Sequence, residues 1–270
     1  MCDEGTLSPK STVALIYRTN AQSRALEEAC VANNLQYLVR GNVGTFYSRA
    51  EIKDCLCFLR WLYNGRDINA LSRAIKTPSR GLGDASLNEF MTYCNDAQNQ
   101  IQSDIATTPL DILISLVNPN SPFISPQGII SKRTMNKLLP FAYQMKEIRK
   151  KAETQTVVDL LGTIIDNLNL KSHFDSISKT SDEFADRWAN VNELRGAAER
   201  YSSRGPCLSE NKDDAEDNSL PLGDFLDDVS LLSDSENPDD DPDTGRRLVA
   251  NLMTIHASKV SLIDFTFNDK

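Results

Sequence analysis

The sequence predicts an α/β fold that is interrupted by a large all-helical insertion. Near the N terminus, the β-branched and apolar run at 12–17 (TVALIY) indicates a strand, which helix, strand and helix patterns follow. Amphipathic helical patterns then extend from 84 to about 203, with breaks predicted near 154–156 and at Pro109, Pro119, Pro122, Pro126 and Pro140. Strand-like composition returns at 247–255 (RLVANLMTI). We therefore expect the chain to leave a sheet, form helices and return to the same sheet.

Local signals define the opening elements. The side-chain oxygen of Asn20 can accept a hydrogen bond at a helix N terminus, so Asn20 is expected to cap a helix from Ala21 to about Asn33. Segment 36–40 (QYLVR) has strand-like composition. Segment 49–64 predicts a second helix, because its apolar residues fall on one helical stripe.

The net charge of −9 does not exclude a nucleic-acid partner, because the acidic residues are concentrated in one segment. Between Glu210 and Asp243 there are 14 acidic residues and one basic residue, and the rest of the chain has 24 acidic and 28 basic residues. A phosphate-binding surface is compatible with that balance. Pro, Gly, Ser and acidic residues fill 205–246 around one short helix predicted at 222–232, so we expect a mobile linker there.

Composition narrows the class of protein further. With 40% apolar and 25% charged residues among 270, the chain is typical of folded soluble proteins, which excludes collagen-like, membrane-spanning and wholly disordered classes. No targeting segment is recognised at its start. The six cysteines form no CxxC pair, so free thiols in a reducing intracellular compartment are expected. His173 and His256 have no ligand-type neighbour three or four residues on, so no metal site is expected.

Catalytic motifs of two common kinds are missing from the sequence. None of the twelve glycines is followed by lysine, so no Gly-Lys-Ser or Gly-Lys-Thr phosphate loop exists. No Gly-x-Ser-x-Gly motif is present either, and two histidines give a Ser-His-Asp arrangement little to build on. We therefore expect no catalytic residue that acts in this chain alone.

Several short strings together resemble a known family. They are YRTNAQSR at 17–24, EIKD at 51–54, TPSRGLG at 77–83, DRWANVNEL at 186–194 and LMTIHASK at 252–259. In this order and at these separations they resemble the UvrD/Rep/PcrA family of superfamily 1 DNA helicases, over roughly residues 12 to 259. Each string alone is a weak signal, and the set makes a chance match improbable.

The resemblance implies a fold and a domain order. In that family the first stretch and the final strand belong to the second RecA-like P-loop motor domain, which has a parallel sheet, and the helices between them form an inserted subdomain that meets duplex DNA. The implied parts are the first portion of the motor domain at 12–80, the helical insertion at 81–204, the acidic linker at 205–246, the returning strand at 247–259 and a divergent tail at 260–270.

The resemblance also implies what an isolated chain would lack. The phosphate-binding loop, the metal-binding Asp-Glu pair and the first motor domain of the family lie upstream of the residues present here, and its last arginine-bearing motif lies downstream. ATP and Mg are cofactors of the family, and we expect neither to bind tightly to this chain alone. The match ends at Val260, which suggests a truncated or alternatively spliced product, a gene-model error or a fragment.

The segment 17–24 is a candidate anion site. A strand end followed by polar donors near a helix N terminus can bind an anion, although an ordinary capped helix with solvent-facing arginines is the alternative. The family resemblance implies that Arg18 faces the phosphates of the nucleotide. Asn20 and Arg24 are candidate DNA contacts in the same segment.

The predicted helix at 49–64 carries a second candidate surface. Arg49, Lys53 and Arg60 fall within about 40° of each other on an ideal helix, to one side of the apolar stripe, so they can face a phosphate backbone. A solvated helix face is the alternative. Phe46, just before the helix, can stack a base or pack the turn.

The most interpretable local motif is Arg80-Gly81-Leu82-Gly83. Two glycines allow close backbone approach and an arginine stands beside them, so the motif predicts a duplex-phosphate clamp, which is compatible with a tight capped turn. In the final strand, the resemblance implies that Thr254 and His256 contact DNA and that Lys259 lies near the nucleotide.

The sequence thus favours a C-terminal-half fragment of an ATP-dependent UvrD-like DNA helicase, acting in DNA unwinding, repair or recombination and without ATPase activity alone. One alternative is a non-catalytic DNA-binding or regulatory module. Another is an acidic scaffold that docks a basic partner. The expected partners are duplex DNA, a single-strand junction and a full-length helicase or other protein, with no membrane; a nucleus is the usual compartment for such a helicase in a eukaryote.

Overall fold

Three parallel strands form the sheet of this chain. The computed structural model describes residues 13–40, 45–100, 107–118, 128–208, 220–234, 249–255 and 258. Strand β1 is Val13–Tyr17, β2 is Gln36–Val39 and β3 is Val249–Thr254, and the order across the sheet is β1-β3-β2. The last strand therefore lies between the first two. This confirms an α/β fold in which the chain returns to the sheet after the helices.

Helix α1, Ser23–Ala32, covers one face of this sheet. The core between them is built from Tyr17, Cys30, Tyr37, Ala250 and Leu252, all of which are buried. Alternate residues of β1 and β3 point to this face because side chains in a strand alternate between its two sides. The apolar runs of the three strands thus supply the core.

The start of the first helix differs from the prediction. A single 3₁₀ turn, Asn20–Gln22, precedes α1, and Thr19 rather than Asn20 is its N-cap. The Gln22 Oε1 atom accepts hydrogen bonds from the backbone nitrogens of Arg18 at 3.0 Å and Thr19 at 3.1 Å. Thr19 and Gln22 form a capping box, which satisfies the first free amides and starts the turn one residue earlier.

The remaining helices are α2 (Ala50–Tyr63), α3 (Ile68–Lys76), α4 (Asp84–Gln100), α5 (Pro109–Ser115), α6 (Lys132–Ala152), α7 (Val157–Asn167), α8 (Leu170–Ile177), α9 (Ser181–Glu199) and α10 (Pro221–Asp234). Of these, α2 agrees with the helix predicted at 49–64, α3 was not predicted, and α4 to α9 lie in the region predicted to be helical. Helix α10 agrees with the short helix predicted at 222–232. Of the rest of the predicted linker, 205–208 and 220 are described, and 209–219 and 235–246 lie outside the described residues.

A break predicted at Pro140 is wrong, because α6 continues through it. Pro140 is exposed, and the neighbouring residues Leu138, Phe141 and Ala142 are buried. The proline ring removes one intrahelical hydrogen bond. Burial of the apolar face on both sides of Pro140 offsets that loss and keeps the helix continuous.

The contacts divide the chain into two compact units. The sheet unit comprises the chain up to Lys53, residues Thr180–Leu194 and the chain from Asp227. The helical unit comprises Asp54–Lys179 and Arg195–Leu226, and its core includes the stacked rings of Trp61 and Phe141, whose centroids lie 6.0 Å apart. These units divide the chain within helices α2, α9 and α10, and the domain boundaries predicted at residues 80 and 204 remain predictions.

Two kinds of feature are missing from the described part of the chain. No described helix is both long enough and apolar enough to cross a membrane. No group of three or more His, Cys, Asp and Glu side chains is arranged to hold a metal ion within the same residues.

Candidate nucleic-acid interface

The turn between α3 and α4 contains the predicted contact residues Arg80, Gly81 and Gly83. Gly81 is exposed and has a φ of +65°, a left-handed conformation that glycine adopts without strain. Gly83 is also exposed, and a Cβ added there would meet no atom within 4 Å. Between them, Leu82 is 4% exposed and anchors the turn in the core. The turn therefore presents backbone to solvent on both sides of a fixed side chain.

Arg80 does not extend into solvent beside this turn. Its Nη1 atom donates to the carbonyl oxygens of Ala74 at 3.1 Å, Thr77 at 2.9 Å and Pro78 at 3.2 Å. Its guanidinium carbon lies 4.4 Å from the centroid of the Phe141 ring. Burial lowers the pKa of Arg80 to about 10, so the side chain stays charged near neutral pH. The guanidinium thus binds one carbonyl in the last turn of α3 and two just after it, where a cation is favoured by the helix dipole.

Two lysines lie at the same turn. Lys137, on α6, donates from Nζ to the carbonyl oxygen of Gly81 at 2.7 Å. Lys76, at the end of α3, pairs with Asp84 at 2.5 Å between Nζ and Oδ1, and the two side chains are 40% and 81% exposed. Lys76 is therefore paired with a carboxylate, and Lys137 brings a cation to the turn that was not predicted as a site residue.

A groove of about 370 Å³ adjoins Arg80 in the helical unit. One side is formed by Pro78, Ser79 and Arg80, and α8 contributes Ser172 and His173 among its lining residues. The described residues that line the groove include no carboxylate.

In the sheet unit, Arg49 is placed differently from the prediction. Helix α2 begins at Ala50, so Arg49 is an extended residue before the helix and does not share a helix face with Lys53. Arg49 is 4% exposed. Its Nη1 atom donates to the Asn20 carbonyl oxygen at 2.8 Å, and its Nη2 atom donates to Ser23 Oγ at 2.7 Å. Burial lowers the pKa of this guanidinium. Arg49 therefore holds the polar turn that follows β1.

A buried network links Arg49 to helix α9. Arg49 Nη1 donates to Asn190 Oδ1 at 2.8 Å, and Asn190 Nδ2 donates to Glu51 Oε1 at 2.6 Å. Arg187 Nη1 donates to Glu51 Oε2 at 3.3 Å. The amide of Asn190 thus satisfies a cation and an anion at once, and nothing in sequence spacing alone points to that role.

Two further predicted DNA contacts are occupied by protein groups. Phe46 is fully buried, and its backbone nitrogen donates to both carboxylate oxygens of Glu27 at 3.2 and 3.0 Å. The ring has no exposed face on which a base can stack in this conformation. Arg24 Nε donates to Glu193 Oε1 at 2.8 Å, and its Nη1 donates to Glu28 Oε1 at 2.6 Å. DNA contact by these two residues stays a prediction that requires their rearrangement.

The carboxyl edge of the sheet brings two predicted residues together. Tyr17 of β1 pairs in register with Thr254 of β3, so Arg18 follows β1 where β3 also ends. Arg18 is exposed and Thr254 is partly exposed. Ligands of open parallel sheets bind at such an edge. The other predicted residues of the final strand, His256 and Lys259, lie outside the described residues.

Three further predicted residues are accessible, and two residues of the site were not predicted. Lys53 is exposed, and Asn20 and Arg60 are partly exposed. Lys137 and Asn190 were not predicted as site residues. The spacing of Arg133 and Lys137, four residues apart on one helix, is a signal that could have indicated a basic face.

The protein-family model for the UvrD-like helicase C-terminal domain matches residues 5–260 of this chain. The ATP-dependent DNA helicase PcrA of Staphylococcus epidermidis is 30% identical over 249 residues, which cover 92% of this chain and 29% of PcrA. PcrA of Bacillus subtilis is 28% identical over 250 residues, covering 92% of this chain and 30% of the relative. The ATP-dependent DNA helicase UvrD1 of Mycobacterium tuberculosis is 29% identical over 259 residues, covering 95% of this chain and 31% of the relative.

The chain thus spans about 30% of the length of these relatives. The family match includes residues of both compact units and all the strings that suggested the resemblance. The chain belongs to the family of UvrD-like helicase C-terminal domains.

Proposed function

We propose that this chain is the part of an ATP-dependent DNA helicase that contacts duplex DNA and forms one wall of an ATP cleft. The observation that carries the proposal is the family match over 5–260, together with relatives named ATP-dependent DNA helicases. The two compact units support a division of these roles, with the sheet unit facing the nucleotide and the helical unit facing DNA.

In the sheet unit, the proposed fold is the RecA-like motor domain. Three parallel strands with β3 in the centre are compatible with it. Arg18 and Thr254 lie at the carboxyl edge, where this fold binds nucleotide phosphates and couples them to DNA. The cofactor bound in the cleft, next to this edge, would be ATP with Mg. Residues that hold the phosphates and the metal would belong to the opposing wall.

In the helical unit, the proposed DNA contact is the turn containing Gly81 and Gly83. Both glycines are exposed, and the space around Gly83 is open, so a phosphate can approach the backbone closely. Lys137 supplies positive charge there, whereas Lys76 is paired with Asp84. Because such contacts are to phosphates, binding should depend strongly on salt and little on base sequence.

Duplex binding by the pure chain tests the proposal. Fluorescence anisotropy with a labelled blunt duplex should show binding at 50 mM salt that weakens steeply towards 200 mM. Gly83→Val should lower the affinity, because its side chain occupies the approach to the backbone, whereas Gly196→Val on α9 also has open space around it and should not. No duplex binding at low salt by the folded chain would refute the proposal.

Nucleotide turnover separates the helicase from a non-catalytic DNA-binding module. We propose that the chain alone does not hydrolyse ATP, because its 270 residues include no Gly-Lys-Ser or Gly-Lys-Thr loop. DNA-stimulated phosphate release by the purified chain would contradict this. If Arg18 faces the nucleotide, Arg18→Ala should lower the ATPase rate of a helicase whose activity is reconstituted with this chain, and it should leave duplex affinity unchanged.

A further inference from the structure

We infer that Lys137 on α6, and not Arg80, supplies the cation that binds a duplex phosphate at the Gly81–Gly83 turn. This inference rests on the proposed DNA contact at that turn. The two residues lie at the same turn, and their hydrogen bonds distinguish them. Lys137 Nζ reaches the carbonyl oxygen of Gly81 at 2.7 Å, and both residues retain exposed surface.

The charge of Arg80 is already used within the protein. One nitrogen of its guanidinium contacts three carbonyl oxygens at the end of α3, and the guanidinium plane lies over Phe141. A phosphate that recruited this group would have to replace those contacts. Such a replacement costs the hydrogen bonds of the helix end, so Arg80 is poorly suited to bind DNA.

Lys137 is suited to the role because its ammonium is positioned but not neutralised. An ammonium has three donors, and the Gly81 carbonyl oxygen accepts from one of them. Within the described ranges, no carboxylate lies within 4.0 Å of Lys137 Nζ, whereas Lys76 is paired with Asp84 and Arg73 with Asp54. The contact with Gly81 fixes the cation next to exposed backbone, which lowers the entropy cost of binding a phosphate.

Arg133 extends the same surface along α6. It lies four residues before Lys137, so the two side chains share one face of the helix about one turn apart. Arg133 is exposed. A phosphate backbone that contacts Lys137 can therefore also contact Arg133. Binding along this face should then release about two counterions from the DNA.

Charge removal at Lys137 tests the inference directly. Lys137→Gln should weaken duplex binding roughly fivefold to tenfold in 0.1 M salt and flatten the slope of log affinity against log salt by about 0.9. Lys137→Arg should restore most of both, because it keeps the charge. Lys146→Gln is the matched control, since Lys146 is exposed on the same helix but nine residues away, on the opposite face.

Arg133→Gln provides a second variant that leaves the contact between Lys137 and Gly81 intact. It should also flatten the salt slope, by up to about 0.9, with no change in the urea midpoint. This result keeps the test decisive if Lys137→Gln alters the turn itself. Anisotropy titrations at four salt concentrations, with the urea midpoint of each variant, give all of these quantities.

The possible outcomes are distinct. If the parent chain binds duplex and Lys137→Gln binds with the same affinity and salt slope, the inference is wrong and the proposed DNA contact survives. An equally stable Arg80→Ala variant that loses one unit of slope would assign the phosphate to Arg80 and overturn the inference. If the parent chain binds no duplex, both proposals fail together.

Discussion

The Nη1 atom of Arg80 donates a hydrogen bond to the carbonyl oxygen of Thr77 at 2.9 Å. Thr77 is the C-cap that follows α3, so the guanidinium lies at the negative end of the helix. The residues of the motif predicted to be a DNA clamp therefore have different roles. Arg80 stabilises the segment that leads into the turn, and the glycines expose the backbone.

Arg80→Ala should lower the free energy of unfolding by more than it weakens the free energy of DNA binding. The variant loses three hydrogen bonds and the contact with Phe141, so the free energy of unfolding should fall by about 2–3 kcal/mol. Urea denaturation measures this change. Arg66→Ala, at an exposed position between α2 and α3, serves as the control and should stay within about 0.5 kcal/mol of the parent. An Arg80→Ala variant as stable as the parent would contradict the assigned role.

Alanine at the two glycines of the turn should have unequal effects. At Gly81 a Cβ would lie 2.6 Å from Lys137 Nζ, and the φ of +65° is strained for alanine. Gly81→Ala should therefore cost about 1–2 kcal/mol of stability. At Gly83 the space is open, and Gly83→Ala should change stability by less than about 0.5 kcal/mol. Thermal and urea unfolding of the two variants check this. Equal losses at both positions would show that the turn is not held as described.

Asn190 should be critical for the stability of the sheet unit. Asn190→Ala leaves Arg49 Nη1 and Glu51 Oε1 without their shared partner in a buried site, which should cost about 2–4 kcal/mol. Asn192→Ala on the same helix is the matched control, because Asn192 is exposed. The measurement is the urea midpoint of each variant. Alanine has a higher helix propensity than asparagine, so Asn192→Ala should not lose stability, and a loss of similar size there would contradict the role assigned to the network.

The sheet could be predicted from the sequence because its signals are local. The apolar run at 249–254 and the polar segment before it indicate a strand without any knowledge of its partners. The central position of that strand follows from parallel pairing with both earlier strands. The helices predicted at 21–33, 49–64 and 222–232 agree with α1, α2 and α10 to within a few residues. The 3₁₀ turn at 20–22 differs because a capping box is available one residue earlier.

The roles of individual arginines could not be predicted, because they depend on partners that are distant in sequence. Arg49 is buried by Asn190 on α9, and Arg80 is directed inward by Phe141 on α6. A helical wheel places Arg49 beside Lys53, yet the helix begins one residue after Arg49. Contacts of this kind decide whether a cation is free for a phosphate, and the sequence pattern does not contain them.

The last prediction concerns Glu27, whose carboxylate accepts from the backbone nitrogen of Phe46. Desolvation by burial raises the pKa of Glu27 above its ordinary value of 4.5, although the Phe46 nitrogen and the charge of Arg49 act in the opposite direction. The folded state therefore holds a proton on Glu27 at pH values where the unfolded chain has lost it. Ionising the buried carboxyl costs stability in that interval.

The sign of the pH dependence follows from proton linkage. Below pH 4.5 both states are largely protonated at Glu27, and the stabilising contribution is fully present. As the pH rises from there through the higher pKa of the folded state, this contribution is lost. Glu27→Gln keeps an oxygen that can accept from Phe46 and cannot ionise, so the parent chain should lose stability relative to this variant between pH 4 and pH 7.

Urea unfolding of the parent and Glu27→Gln at pH 4, 5.5 and 7 measures the difference, and effects of all other groups largely cancel in it. Glu147→Gln, at an exposed position on α6, is the control and should give a difference that is nearly independent of pH. A parent chain that instead gains stability over Glu27→Gln as the pH rises would show that Arg49 dominates and that the folded state favours the carboxylate. A flat difference would show that burial and the hydrogen bonds balance at this site.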